Sequence, residues 1–460
     1  MPDNSYKCKG EVLKHLQTEL TRLIPNFKGR NLIAIDSLSK REVEDIVQLA
    51  SCFKDLVQKF GGGCSLLKHK ILTTLFYEPS TRTRCSFEAA MLRLDGRVVT
   101  ISDVAGSSSA KGESLDDTIK TIEGYSDVIV LRHPVKVLLI GPTSIKDTRN
   151  FLDGVYTKFG VLMKLLDYFF KRKAFFDRYS SVSGWSSDWC LINPHFVMLG
   201  KPRSLYYAFH IGIRESCCRI RQKNTSFFLG SMKRAAIAGS KISLINAGDG
   251  TGEHPTQALT DIFTISELFP NWFELVNTSQ QLLKTDKKTP TFWIAFVGDL
   301  LHGRTVHSLF RLLARYNVGF YFSNPPSLNP PEELINEISA YFKSQGFTPA
   351  SRLSFDCSLQ ECIEKCNVVY MTRIQKERFS RIEDYERTKD AYCLKPEELK
   401  FATKNIKILH PLPRGNEISL AMDNTPAAAY FHQAQCGLYL RMALLSLYSN
   451  LDIDTFSIES

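Results

Sequence analysis

No apolar run in this 460-residue chain approaches the roughly 20 residues that a helix needs to cross a bilayer, so no membrane segment is expected. Residues 1–17 lack a continuous apolar core, so no secretory signal is expected either. The twelve cysteines show no paired metal-ligand spacing; Cys362 and Cys366 sit one helical turn apart without a histidine nearby. That pattern argues against a zinc site and for a reduced, cytoplasmic setting. No internal repeat and no low-complexity tract is found, which excludes solenoids and disordered scaffolds. What remains is an ordinary globular composition, 43% hydrophobic and 23% charged, in a chain long enough for two or more domains.

The densest chemistry lies in Glu78-Pro79-Ser80-Thr81-Arg82-Thr83-Arg84. Before it, residues 71–77 are apolar and β-prone, which predicts a buried strand. After it, Phe87, Ala90, Met91 and Leu94 recur at helical spacing. The cluster therefore falls where a strand ends and a helix begins. Unpaired N–H groups and the positive end of the helix dipole face outward there. Three hydroxyls and two guanidiniums at that place suit a compact anion such as phosphate. A plain N-cap (Ser80 or Thr81) with solvated arginines would use the same residue types.

Strand and helix alternate through most of the chain. Ser39-Lys40-Arg41-Glu42 is a capping box leading into an apolar face of Val43, Ile46, Val47, Ala50, Phe53, Leu56 and Val57. Strands are predicted over 97–101, 127–131, 242–246, 292–297, 319–322, 367–371 and 406–409, with helices opened by Ser114, Pro255 and Gly303. A last helix runs from Ala427 to Leu445, and residues 277–289 read as a linker. The pattern is α/β: two doubly wound domains, each with a central, mainly parallel sheet. Polar groups collect at strand C-terminal ends, where open α/β sheets bind ligands. They are Arg132, His254 with Gln257, Arg304, Arg373 with Gln375, and His410-Pro411-Leu412-Pro413-Arg414. Each alone would pass as a surface ion pair or a satisfied helix-start residue. Together the arginines imply a substrate, or a pair of substrates, rich in negative charge.

With Lys111-Gly112-Glu113-Ser114, Arg132-His133-Pro134 and His254-Pro255-Thr256-Gln257 added, the Ser80–Arg84 stretch resembles the signature of the aspartate/ornithine carbamoyltransferase family. Gly298-Asp299-Leu300, Gly303-Arg304-Thr305, the run from Arg373 to Arg378 and His410-Pro411-Leu412-Pro413-Arg414 are similar to the aspartate branch. The resemblance covers residues 27–134 and 230–450. It implies a carbamoyl-phosphate domain over 27–268, an aspartate domain over 269–426, and a C-terminal helix, 427–450, packing back on the first domain. The implied reaction carbamoylates L-aspartate, an early step of pyrimidine synthesis. Ser80, Thr81, Arg82 and Thr83 would hold the phosphate, and Arg132 would bridge phosphate and carbonyl oxygen. His254 and Thr83 would face that oxygen. Gln257 and the carbonyls of Leu412 and Pro413 would accept the carbamoyl NH2. Arg304, Arg373 and Gln375 would clamp the aspartate carboxylates. Ser107 and Lys111 would enter a neighbouring subunit's site, implying a homotrimer with shared sites. The resemblance implies no metal, no organic cofactor and no covalent nucleophile.

One interval breaks both the alternation and the resemblance. Residues 135–229 carry fifteen Lys and Arg against six Asp and Glu, about +9 of the chain's net +10. The family passes from Arg-His-Pro almost directly to a helix at Arg234-Ala235-Ala236. Three readings stand: a looped-out insertion in the first domain, a basic module for a polyanion, or translated non-coding sequence. Without a recognisable binding motif, nucleic acid is not an expected partner. A relative whose insertion displaces Arg132, acting as a binding protein without activity, is the reading from another class.

Overall fold

The structure, a computed structural model, describes residues 6–102, 113–134, 137–140, 191–193, 196–198, 233–236, 242–250, 252–277, 289–374, 392–452 and 458. The chain divides into two compact units, Met1–Leu139 with Arg234–Ser460, and Ile140–Lys233.

In the larger unit, α1 (Lys9–Phe27) and α2 (Lys40–Phe60) precede β1 (Ile71–Phe76), α3 (Thr81–Arg93), β2 (Arg97–Ile101), α4 (Leu115–Glu123) and β3 (Val128–His133). Next comes β4 (Val137–Ile140). Within the smaller unit, the described residues form β5 (Leu191–Asn193) and β6 (Phe196–Met198), an antiparallel pair. Then follow β7 (Lys233–Ala236), which pairs with β4, β8 (Ser243–Asp249), α5 (Pro255–Leu268) and α6 (Trp272–Val276). The second half contains β9 (Phe292–Val297), α7 (Arg304–Leu313), β10 (Val318–Ser323), α8 (Glu332–Ser344), β11 (Leu353–Ser354), α9 (Leu359–Lys365), β12 (Val368–Met371), β13 (Lys407–Leu409) and α10 (Tyr430–Tyr448).

Two parallel sheets organise the larger unit, in the orders β2-β1-β3-β8 and β11-β10-β9-β12-β13. Parallel strands share a direction, so every loop leaving a strand C-terminus emerges on one edge of its sheet. The burial of all six residues of β3 and all seven of β8 matches a sheet covered on both faces. Helix α10 is buried nearly all round, from Tyr430 and Cys436 to Leu447 and Tyr448, as a helix in the middle of a core must be. It packs against α2, α3 and α5.

Three local differences from the sequence reading have physical causes. Strand β3 runs two residues further than 131, because Arg132 stays in register with Phe76 and its carbonyl accepts the Tyr77 N–H (2.8 Å). Arg234–Ala236 lies in β7 rather than in a helix, its backbone paired across to β4. Helix α1 has no counterpart in the sequence reading. It buries Val12, Leu16, Leu20, Leu23 and Ile24 despite an internal Pro25 near its end. The linker interior, 278–288, lies outside the described residues.

The capping box is present in full. Ser39 Oγ accepts the Glu42 N–H (3.2 Å) and Glu42 Oε2 accepts the Ser39 N–H (2.7 Å). Ser39→Ala should therefore destabilise the protein by about 1 kcal/mol. The check is a lower urea midpoint with an unchanged slope, read by circular dichroism.

Candidate active site

The loops at the C-terminal edges of the two sheets face one cleft of about 1050 Å³. From the first sheet, the β1–α3 turn contributes Glu78, Ser80, Thr81, Arg82 and Thr83, β3 contributes Arg132, and α5 contributes His254 and Gln257. From the second, α7 contributes Arg304, the residues after β12 contribute Arg373, and those after β13 contribute Leu412 and Pro413. Ser107, Lys111 and Gln375 lie outside the described residues, as does the loop interior 103–112.

Ser80 is the N-cap of α3, yet its side chain makes no capping hydrogen bond, and the hydroxyl is not spent on the helix. Thr83, two residues into α3 from Thr81, is buried, whereas Arg82 is exposed to the cleft. Arg84 departs from the expected five-residue socket. One step further round the helix, it turns to Glu88 (3.9 Å) and does not line the cleft.

The centre of the cleft is an ion cluster. Arg132 donates from Nη1 to the Ala247 carbonyl (3.0 Å) and from Nη2 to Glu78 Oε1 (2.6 Å). Arg304 donates to the same carboxylate, Nη2 to Oε1 (2.8 Å) and Nη1 to Oε2 (3.1 Å), and to the Gly250 carbonyl (2.8 Å). Glu78 thus bridges a residue of the first sheet and one that opens a helix of the second. Burial alone would raise its carboxyl pKa, but the hydrogen bonds and charges of Arg304 and Arg132 win and hold it below its ordinary value. Burial, and then the repulsion of Arg304, lowers the Arg132 pKa to about 10, which still leaves it cationic at neutral pH.

His254 is the N-cap of α5 and only 4% exposed. Its N–H donates to Ser308 Oγ (3.1 Å), and its Nδ1 lies 3.4 Å from Thr256 Oγ1. Burial first, then the charges of Arg132, Arg304 and Arg441, push its pKa well below the ordinary 6.5. The ring is therefore neutral at physiological pH and can donate a hydrogen bond without carrying charge. Space for these groups comes from Gly248, at φ +113. A Cβ there would lie 2.9 Å from Arg132 Nη1 and 3.3 Å from both Arg304 Cζ and His254 Cδ2.

The loop after β13 is fixed through His410. Its Nδ1 accepts the Leu412 N–H (2.7 Å), and its Nε2 donates to Glu417 Oε1 (2.8 Å). Among the described residues, no group of three or more His, Cys, Asp or Glu side chains could hold a metal ion, and no helix is long and apolar enough to cross a membrane.

Several residues of the site escaped the sequence reading: Glu78, Gly248, Asp261, Gln433 and Arg441. Signals existed for three of them. Glu78 is a carboxylate at the lip of an anion socket. Asp261 and Arg441 are single charges inside apolar helices, and such charges are rarely buried without a partner.

Comparison with known proteins follows the same division. The model of the aspartate/ornithine carbamoyltransferase carbamoyl-phosphate-binding domain matches residues 30–147 and 213–267, and that of the Asp/Orn-binding domain matches 292–448. The gap in the first match, 148–212, falls inside the basic interval. The multifunctional protein pyr1-3 of Dictyostelium discoideum is 35% identical over 94% of this chain, which spans 14% of that protein. The aspartate carbamoyltransferase catalytic subunit of Alkaliphilus oremlandii is 33% identical over 93% of both chains. A solved structure of aspartate transcarbamoylase from Trypanosoma cruzi, in complex with carbamoyl phosphate and aspartate, superposes with a TM-score of 0.60 at 26% identity. It covers 93% of this chain and 98% of that one.

The neutral state of His254 is measurable. In an NMR titration its ring signals should keep their neutral shifts through pH 6.5, while a solvent-exposed histidine titrates; a His254 that protonates at or above 6.5 would contradict the site's electrostatics. The same depression makes the unfolded chain bind a proton that the folded one refuses, so this group's contribution lowers stability as pH falls below 6.5.

Proposed function

The chain belongs to the aspartate/ornithine carbamoyltransferase family, and we propose that it carries out the reaction of the aspartate branch. The carbamoyl group of carbamoyl phosphate passes to the amino group of L-aspartate, giving N-carbamoyl-L-aspartate and phosphate, in pyrimidine biosynthesis. The observation that carries this reading is the convergence of cations from both sheets on one cleft. Arg82 and Arg132 come from the first, Arg304 and Arg373 from the second. A dianionic phosphate and a dicarboxylic amino acid, side by side, need that arrangement.

Ser80, Thr81, Arg82 and Thr83 bind the phosphate at the start of α3. Arg132 spans phosphate and carbonyl oxygen. The amine attacks the carbamoyl carbon, the new C–N bond forms, and negative charge moves onto that oxygen. Thr83, Arg132 and neutral His254 receive the charge. The C–O bond to phosphate then breaks, and the departing phosphate takes up the proton that the amine loses. Arg304 and Arg373, with Gln375, hold the aspartate carboxylates. No covalent intermediate is required, so catalysis rests on positioning and on donors already in place.

The domain division that goes with this reading assigns 27–268 to carbamoyl phosphate and 269–426 to aspartate, with 427–450 returning to the first. The packing of α10 on α2, α3 and α5 supports it. For the assembly, Ser107 and Lys111 of a neighbouring copy complete each site in a homotrimer, in the cytoplasm. The position of β2 supports the sharing. It is the edge strand of its sheet, Val99 is 45% exposed, and the chain runs directly from it into 103–112.

Steady-state assays separate the two halves of the site. Arg82→Ala should lose about 10²–10³ in turnover, the usual cost of one donor at a developing charge. Arg373→Ala should chiefly raise the KM for aspartate; wild-type turnover in the first variant, or transfer to ornithine by the second, would reject these assignments. A separate mixing experiment addresses the trimer. Combining inactive Lys111→Ala chains with inactive Arg82→Ala chains should restore part of the activity, and exchange of subunits without recovery would exclude shared sites.

A further inference from the structure

Behind Gln257, which lines the cleft, lies a buried carboxylate to which the reaction described above gives no role. Asp261, on α5, is fully buried, and three side chains from three elements donate to it. Gln257 Nε2 reaches Oδ1 at 2.7 Å from one turn earlier on the same helix. Gln433 Nε2, on α10, reaches the same Oδ1 at 2.6 Å. Tyr370 Oη, on β12 of the second sheet, donates to Oδ2 at 2.9 Å. An ionised carboxylate oxygen only accepts, so both glutamines turn NH2 toward Asp261.

That constraint sets what the glutamines present elsewhere. With Nε2 held by Asp261, the Gln257 amide offers Oε1 to the cleft it lines. With Nε2 held likewise, Gln433 offers Oε1 to the His410 N–H (2.8 Å), the first residue of the segment whose Leu412 and Pro413 also line the cleft. We propose that Asp261 is a positioning residue that sets the polarity of the amide subsite. It makes the cleft wall an acceptor of N–H, so that the wall selects carbamoyl phosphate over acyl phosphates without an amide. The proposal rests on the carbamoyl-transfer reading above and adds to it the source of selectivity. Burial pushes the Asp261 carboxyl up to about 7, against the pull of its donors and of Arg441. A proton taken up at Oδ2 would make that oxygen the donor and Tyr370 Oη the acceptor of their shared bond while Oδ1 stays an acceptor, so the polarity holds on both sides of that value.

An inverted Gln257 would present NH2 to the carbamoyl NH2, donor against donor, but would meet a methyl group with little change. Acetyl phosphate, which carries CH3 in place of NH2, is therefore the probe. Two constants are measured: the KM for carbamoyl phosphate and the Ki of acetyl phosphate as its competitor. Asp261→Leu removes the acceptor and frees both amides. It should raise the carbamoyl phosphate KM about tenfold or more while the acetyl phosphate Ki moves less than about threefold. Asp261→Asn can keep an oxygen between the glutamines with its NH2 turned to the Tyr370 oxygen, and should restore most of the wild-type ratio. A folded Asp261→Leu protein whose two constants shift by the same factor, or not at all, would overturn the proposal. Should Asp261→Leu fail to fold, Gln257→Met, altered at the open cleft wall, must show the same selective loss; an unchanged ratio there would also overturn it. A wild-type chain that transfers no carbamoyl group to aspartate would instead overturn the reaction assigned to the site.

Discussion

A single carboxylate holds two guanidiniums of different sheets in the same cleft. Without Glu78, Arg132 and Arg304 would be two neighbouring, mostly buried cations, and their repulsion already lowers the Arg132 pKa. Removing one partner of such a cluster leaves uncompensated charge, which costs far more than a surface ion pair contributes. The rest of the site depends on this contact. It ties the C-terminal edges of both sheets together and holds beside His254 the two guanidiniums whose charge, after burial, keeps the imidazole neutral. An arriving phosphate or carboxylate offers the same guanidiniums an alternative anion, so substrate binding exchanges one set of ion pairs for another of the same kind.

Below this layer of ion pairs lies a layer of directed hydrogen bonds. Asp261, Gln257, Gln433 and Tyr370 link α5, α10 and β12 through hydrogen bonds centred on a fully buried carboxylate. The two layers divide the work. Charge from the upper layer attracts and orients anions over several ångströms, but it cannot distinguish an NH2 from a CH3. Fixed hydrogen-bond direction in the lower layer can, because an unmatched donor in a dry site has no substitute partner. Attraction and discrimination therefore come from different residues, on different elements.

Much of this could be read from the chain because the relevant signals are local. The Ser39–Glu42 box, the apolar run before Glu78 and the helical spacing after Arg84 each lie within a few residues. The sheets follow from their alternation. Among the described residues expected at the site, Ser80 to Thr83, Arg132, His254, Gln257, Arg304, Arg373, Leu412 and Pro413 line the cleft, whereas Arg84 and Arg414 do not. What escaped was long-range. Asp261 acquires meaning only when Gln433, 172 positions away, folds beside it. Glu78 stands at the lip of the expected anion socket, but its role as a bridge appears only when Arg304 arrives from 226 positions on. Helix α1 went unread although Val12, Leu16, Leu20 and Leu23 recur at helical spacing; it continues through Pro25 to Phe27. Arg84 misled in the other direction: adjacency in sequence does not survive the 100° step of a helix, and its guanidinium swings to Glu88.

Gly248 carries no chemistry, yet it has a consequence for how freely this sequence can drift. Arg132, Arg304 and His254 all crowd the space where its side chain would stand. An arginine in the cleft can in principle be exchanged for lysine, with a graded loss. At Gly248 there is no graded change, since alanine, the smallest step, already intrudes on three groups and demands a backbone angle that L-residues rarely adopt. The least functional residue type thus occupies one of the least negotiable positions, and a library of variants of this protein should be depleted there as severely as at any charged member of the site.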